Sequence, residues 1–589
     1  MKKAVIYVLI LAFVCGLLCA CEQTNFQQKI LVTLVETDDF TVEENGIWID
    51  PGQAARFTIR MNAGCELTDT DYDGLYYIWK ENGVTKLELR NVYYPTRVNA
   101  QVTRYYRRIT YDPNGGIGDR STVTYDTSVH TRPNTAIGTD VYTRDGHTLI
   151  GWNTASDGIG EAVGLGSRIT VPESGLTLYA QWASWTDASQ FTWETVSDGI
   201  RITGYLGNDE QVVIPETLED LPVTVIASGA FTGSSLREVI LPKSLVTLEA
   251  GAFTDCALEA VRLFDNIENI SDGSFLRCPE LHTLYINAIE APYGYSFRRE
   301  SMYADKVDML INAQGQKKLV FYAGCSMWYN LNGQTAQNAL PDYKVINMGL
   351  NGTVNSYILM QILSHYLEPG DIFFHTPELS SDQQFLTAID MDNNADILWA
   401  ALEYNYDLLT LVDFRGIDNF FGSFRDYLAM KSEETAYRQQ YRDDEGRTYL
   451  DSTGSLPFER VGQTEVLPEE EAVHLDPEII QGRDLSLLQS FYEDFSQRGI
   501  HVYISYACLL YTSVPEAQQD NVALVDGLLR DAIGAMEGPV LVSTLWDYLY
   551  ERSEFYNSAY HLQSTVVDAN TALWLRDLKK QMTRDGLLP

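Results

Sequence analysis

The sequence predicts a multidomain chain: β-rich N-terminal modules, a short solenoid of repeats, and a C-terminal α/β domain built on a doubly wound parallel sheet. Three observations predict it. β-prone and polar residues alternate from about Lys29 to Tyr106, a motif recurs every 22 residues within 190–292, and apolar strands alternate with helical stretches after residue 310. A length of 589 residues and a hydrophobic content of 45% are enough for several cores.

Charge excludes partners before any motif is read. The chain carries 42 Lys and Arg against 81 Asp and Glu, a net charge of −39. Such a surface repels phosphate backbones, so no nucleic acid is expected as a partner, nor electrostatic docking on anionic lipid. Met1-Lys2-Lys3 followed by the apolar run Ala4 to Leu18 reads as a signal peptide, too short for a permanent span. The run ends in Leu18-Cys19-Ala20-Cys21, which resembles a bacterial lipobox. The resemblance implies cleavage after residue 20, lipidation of Cys21, and a mature protein tethered by lipid outside the bacterial membrane. Losing Lys2 and Lys3 with the leader would leave that protein still more acidic.

Residues 21–107 read as an antiparallel β domain. Ile30 to Val35 and Tyr76-Tyr77-Ile78-Trp79 are strand-like, and Pro51-Gly52 and Asn82-Gly83 are turn signals. Beyond the anchor lie Cys65, Cys256, Cys278, Cys325 and Cys508, odd in number and without C-x-x-C spacing. No disulfide framework, structural metal or cofactor is expected.

A second β-rich module spans 108–183. Ile109-Thr110-Tyr111-Asp112-Pro113-Asn114-Gly115-Gly116 opens it, Gly151-Trp152-Asn153-Thr154 stands in the middle, and Leu176 to Trp182 closes it with alternating residues. These three blocks resemble the internalin-type B-repeat, the Listeria–Bacteroides repeat. The resemblance implies a small β-grasp-like fold and a place on a bacterial surface, as spacer or adhesive module.

Within 190–292 the segments Ala227 to Phe231, Glu249 to Phe253 and Ser271 to Phe275 recur at a step of 22, as do Ile226, Leu248 and Ile270. A fixed period in the twenties means a solenoid whose repeats bury apolar faces against one another. It is similar to the BspA-type leucine-rich repeat, in three clear copies. So few copies predict that neighbouring domains cap the array, which serves as ligand surface or rigid spacer.

From 310 to 589 the strands Leu319 to Ala323, Lys344 to Ile346, Ile372 to Phe374, Val502 to Ser505 and Val540 to Val542 alternate with helical stretches such as Asn355 to Leu367 and Leu485 to Gln497. Ligands of parallel α/β sheets bind at the carboxyl ends of strands. There the first strand runs into Gly324-Cys325-Ser326, the second into Asn347-Met348-Gly349-Leu350-Asn351-Gly352, and Asn557-Ser558-Ala559-Tyr560-His561-Leu562 precedes the last helix. This order resembles the SGNH (GDSL-like) hydrolase superfamily over about 315–585. The resemblance implies Ser326 as nucleophile, His561 as base, and the Gly352 N–H in the oxyanion hole beside that of Ser326. Three departures stand out. Cys325 replaces an aspartate, the third-block asparagine lacks a counterpart in Asp371 to Leu379, and Asn557-Ser558 replaces the aspartate that precedes histidine. The site is then a Ser–His dyad, a site oriented by Asn557, Glu378 or Glu554, or an inactive one.

Residues 385–480 read as an insertion, a lid or substrate platform, with Trp399, Tyr404, Tyr406 and Phe420 either stacking sugars or forming a helical core. Two functions follow. One is a lipid-anchored surface protein acting as esterase or acyltransferase on acyl groups of envelope glycan. The other is a non-catalytic adhesion or scaffold protein that binds glycan or protein through its repeats.

Overall fold

The computed structural model describes residues 29–37, 39–62, 64–81, 84–104, 106–126, 132–133, 135, 141–288, 302–350, 356–378, 395–402, 405–433, 450–456, 483–510, 521–556, 558 and 560–589. Cys21, the turn Asn82-Gly83, Gly352, Tyr404, the acidic stretch 465–471 and Asn557 lie outside the described residues. The chain divides into two compact units, residues 1–108 with 124–128, and residues 109–123 with 129–589.

In the first unit, alternation in strands such as Ile30–Val35 buries every second side chain. Two four-stranded sheets enclose one core that includes Val32, Leu34, Phe57, Ile59, Leu87 and Val98. The expectation of an antiparallel domain is corrected at one place. Ile30–Val35 runs parallel to Thr96–Arg104, in the register Val32 to Thr96 and Leu34 to Val98. The two strands are about sixty residues apart in sequence, so no hairpin turn dictates their direction.

The second unit begins with the 108–183 module. His147–Asn153 pairs antiparallel with Leu176–Ser184, which runs parallel to the segment around Ile109. Trp152 is the pivot, buried edge-on to Tyr111 at 5.0 Å and Tyr142 at 6.0 Å.

The 22-residue period is realised as a parallel sheet in which Val212, Val239, Val261 and Leu284 pair in succession. On the opposite side of the coil the repeated phenylalanines stack, Phe231 on Phe253 at 4.7 Å and Phe253 on Phe275 at 5.6 Å. Each turn before the phenylalanine bonds to the next repeat, for example Phe231 N–H to Ala252 O and Phe253 N–H to Ser274 O, both at 2.9 Å. Gly229 and Gly251 hold φ of +77° and +78°, the left-handed region that the tight turn demands.

Both ends of this stack are covered. Tyr205, from the hairpin Phe191–Val196 and Gly199–Tyr205, lies on Phe231 at 5.3 Å. At the other end Phe421, from the helix Phe420–Glu433, lies on Phe275 at 4.6 Å, and its N–H donates to Asp272 Oδ1 at 2.8 Å. The described part of the predicted insertion is therefore a cap and not an exposed platform. Trp399, Tyr406 and Phe420 are all buried, and Trp399 Nε1 donates to Ser423 Oγ at 2.9 Å. Their rings pack on one another because the uncovered end of a solenoid exposes apolar surface.

The last domain is a five-stranded parallel sheet. By chain order its strands stand second, first, third, fourth and fifth: Lys344–Asn347, Lys318–Tyr322, Ile372–His375, His501–Ile504, Val540–Leu541. Each is an apolar run with few polar breaks, as a sheet buried on both faces requires. One contiguous core runs from Phe191 through the solenoid to Met582 of the final helix Ser564–Arg584.

Phe421→Ala should remove the C-terminal lid of the phenylalanine stack and cost about 3–5 kcal/mol. Trp546, 52% exposed, should tolerate alanine to within about 0.5 kcal/mol. Denaturant midpoints of the two variants, compared with wild type, check both.

Candidate active site

A sheet with its strands in the order 2-1-3-4-5 opens a crevice where the first and third strands diverge, at their carboxyl ends. Ser326 follows the first strand, on the short helix Cys325–Asn330, and Glu378 follows the third. Glu378 Oε1 accepts the Ser326 N–H at 2.9 Å. Ser326 is fully buried and Glu378 is 8% exposed. Burial pushes the Glu378 carboxyl above its ordinary range, against the pull of the adjacent Ser326 hydroxyl and N–H. Among the described residues Ser326 Oγ forms no hydrogen bond, so the Ser326–His561 bond of a working dyad is not made. Glu378 thus meets the serine and takes the Ser326 N–H expected in the oxyanion hole.

The structure nevertheless brings His561 to the helix that carries Ser326, and Asn330 is the reason. Its Nδ2 donates to Tyr560 O at 2.6 Å and to Cys508 Sγ at 2.7 Å, and its Oδ1 accepts the Leu562 N–H at 2.8 Å. The bonds to residues 560 and 562 pin the backbone on both sides of His561. Tyr329, on the same helix, stacks flat on the imidazole, with ring centroids 3.9 Å apart and planes at 9°. An aromatic face favours the protonated ring and offers it part of what a carboxylate would supply. The Asn330 carbonyl in turn accepts from Asn570 Nδ2 at 3.1 Å, which ties the cluster to the final helix.

The second strand adds a buried brace. Asn347 Nδ2 donates to Met327 O at 3.2 Å and to Ser455 Oγ at 3.1 Å, while its Oδ1 accepts the Gly349 N–H at 2.8 Å. A Cβ on Gly349 would stand 2.5 Å from Trp328 N, so only glycine lets this turn reach the serine helix. The Gly349 carbonyl accepts from Lys306 Nζ at 2.6 Å, and burial draws that amine down to about 7.

Two further buried groups of this domain are held out of proton transfer and nucleophilic chemistry by their surroundings. His375 ends the third strand with its Nδ1 2.6 Å from the Tyr492 hydroxyl, and burial lowers its pKa to about 3. It stays neutral and is no proton shuttle near pH 7. Burial, helped by the charges of Glu378 and Cys325, pushes the Cys508 thiol up, so it is no nucleophile. Asn330 and Tyr329 were not singled out in the sequence. The signal was their spacing, three and four residues after Ser326, one helical turn away.

Residues 208–322 match the family described as BspA type leucine rich repeat region, in six copies, and residues 108–181 match the Listeria-Bacteroides repeat domain. The first match runs beyond the last described solenoid strand, Thr283–Asn287, into Lys318–Tyr322, which belongs to the α/β sheet. Repeats of the BspA type are typical of surface proteins. Among the described residues no helix is long and apolar enough to cross a membrane. Among solved structures the chain is similar to "Crystal structure of T. pallidum Leucine Rich Repeat protein (TpLRR)". That similarity is 24% identity over 17% of this chain and 71% of that one, with a TM-score of 0.13. No curated protein matches.

Asn330→Ala leaves the buried Leu562 N–H without its acceptor, at about 1–3 kcal/mol, while the Tyr560 carbonyl keeps only the weaker Cys508 thiol donor at 3.2 Å. The His561 ring protons should then lose the ring-current shift of Tyr329 in the NMR spectrum. A retained shift would contradict the clamp.

His375 sets a pH dependence. Its pKa is depressed on folding, so its contribution is complete above the ordinary value of 6.5 and is lost as pH falls toward about 3. In His375→Gln the stability lost per pH unit between 6 and 4 should be smaller by up to ~1.4 kcal/mol than in wild type. Urea unfolding of both proteins at each pH measures the difference.

Proposed function

We propose that this protein is a surface adhesion or scaffold protein, tethered by lipid at Cys21, that binds envelope or host glycan through its repeat modules. The two repeat types support the surface role. The observation that carries the non-catalytic part is the bond from the Ser326 N–H to Glu378 beneath a fully buried serine. A carboxylate fills the place where a developing oxyanion would need donors. In this reading the α/β domain is a structural partner of the solenoid, since Phe421 closes the phenylalanine stack.

A second reading is favoured by the 2-1-3-4-5 strand order and by the Asn330 clamp on the His561 backbone. It is an SGNH-like esterase or acyltransferase acting on acyl groups of surface glycan. Ser326 would attack the acyl carbonyl and His561 would take and return the proton, with Gly352 assigned to the oxyanion by the sequence resemblance alone. Glu378 must first leave the Ser326 N–H. In the sequence Asn557 stands at the position of the aspartate that the resemblance places before the histidine.

One experiment separates the readings. The full chain is treated with a fluorophosphonate and then assayed for retention on immobilised bacterial envelope polysaccharide and on host-cell glycan. The adhesion reading expects no label on Ser326 and equal retention of wild type and Ser326→Ala. Stoichiometric labelling of Ser326, with acetyl-ester cleavage that Ser326→Ala abolishes, overturns it in favour of the esterase.

A further inference from the structure

A cavity of about 510 Å³ opens where the 108–183 module, the solenoid and the α/β domain meet. That volume suits a mono- or disaccharide. All three parts build its wall: Arg132, Trp152 and Gln181 from the first, Arg262 and Tyr285 from the second, Tyr366 and Asp407 from the third. Arg168, also in the wall, is committed to the fold by its pairs with Asp305 at 2.7 Å and Asp308 at 3.2 Å, and Arg132 by its pair with Asp308 at 2.9 Å.

Arg262 differs. It stands opposite Tyr285 in the solenoid sheet, with its guanidinium carbon 4.0 Å from the centre of that ring. One nitrogen donates to the Ile150 carbonyl at 3.3 Å, Nε has no hydrogen-bond partner, and no ion pair forms with any described carboxylate. Burial draws the guanidinium pKa below its ordinary value, against the pull of the Glu238 charge. A half-buried cation without a counter-ion is costly, and an anion from outside relieves that cost. In a chain of net charge −39, an uncompensated arginine inside a cavity is a selective feature. Asp407, half-buried, has its carboxyl pushed up by burial against the pull of Arg132 and Arg168.

We infer that this cavity binds a saccharide bearing a carboxylate, with Arg262 taking the carboxylate and Tyr285 and Tyr366 bounding the sugar ring. This rests on the adhesion reading and deepens it by naming a ligand class and a place. Arginine presents a planar fork that matches a carboxylate with two parallel bonds, and aromatic walls suit the apolar faces of a pyranose.

Titration calorimetry of the full chain with di- and trigalacturonate, with the neutral galactose oligomers, and with sodium acetate tests it. Wild type should bind the galacturonates, and Arg262→Met should weaken that binding at least tenfold with an unchanged thermal unfolding midpoint. Arg262→Gln, which keeps donors without charge, should recover little. Equal binding by wild type and Arg262→Met overturns the site but leaves adhesion standing, which the retention assay judges separately. Absence of galacturonate binding, or equal affinity for acetate or neutral oligomers, overturns the acidic-sugar assignment.

Discussion

A short solenoid cannot end in water. Each repeat buries its phenylalanine against the next, so the last ring has a bare face that something must cover. Phe421 covers it, and that contact draws the aromatic helices of 395–433 onto the solenoid and makes one core of two domains. The constraint reaches the α/β domain, because those helices arise from the connection between its third and fourth strands. Segments that a free-standing α/β domain could extend over its crevice are packed here against the solenoid.

The same economy is visible around Ser326. The backbone there is tied at several points, while the Ser326 hydroxyl itself forms no hydrogen bond. Glu378 holds the serine N–H, Asn347 braces the following turn, and Asn330 clamps the histidine loop. Networks of satisfied buried groups rigidify a site. This one positions a serine and a histidine on one helix and at one loop, yet closes the serine backbone with a carboxylate. Geometry of that kind holds a fold together well.

Charge acts at two scales. Over the surface the net charge of −39 sets up a field that like-charged groups must overcome. Inside, buried arginines are used sparingly: Arg132 and Arg168 join the 108–183 module to Asp305 and Asp308 of the helix Met302–Asn312, and Arg262 has no such partner. Buried pairs of that kind contribute more to the registry of two modules than to net stability.

The sequence by itself determined the elements whose signal is local or periodic. The 22-residue step in Phe231, Phe253 and Phe275 predicts their stack, and the alternation of apolar strands with helices predicts a parallel sheet, because each repeat or strand meets only its neighbours. It also put Ser326 just after the first strand of that sheet and His561 just before the final helix, where the structure has them. What only the tertiary structure decided is relational. The parallel pairing of Ile30–Val35 with Thr96–Arg104, the use of Trp399 and Phe420 as core, the meeting of Glu378 with the Ser326 N–H and the clamp of Asn330 on residue 562 join positions far apart in the chain. No period or propensity encodes such contacts. They follow from which surfaces remain to be buried once the local elements exist, and that is settled only when the whole core closes.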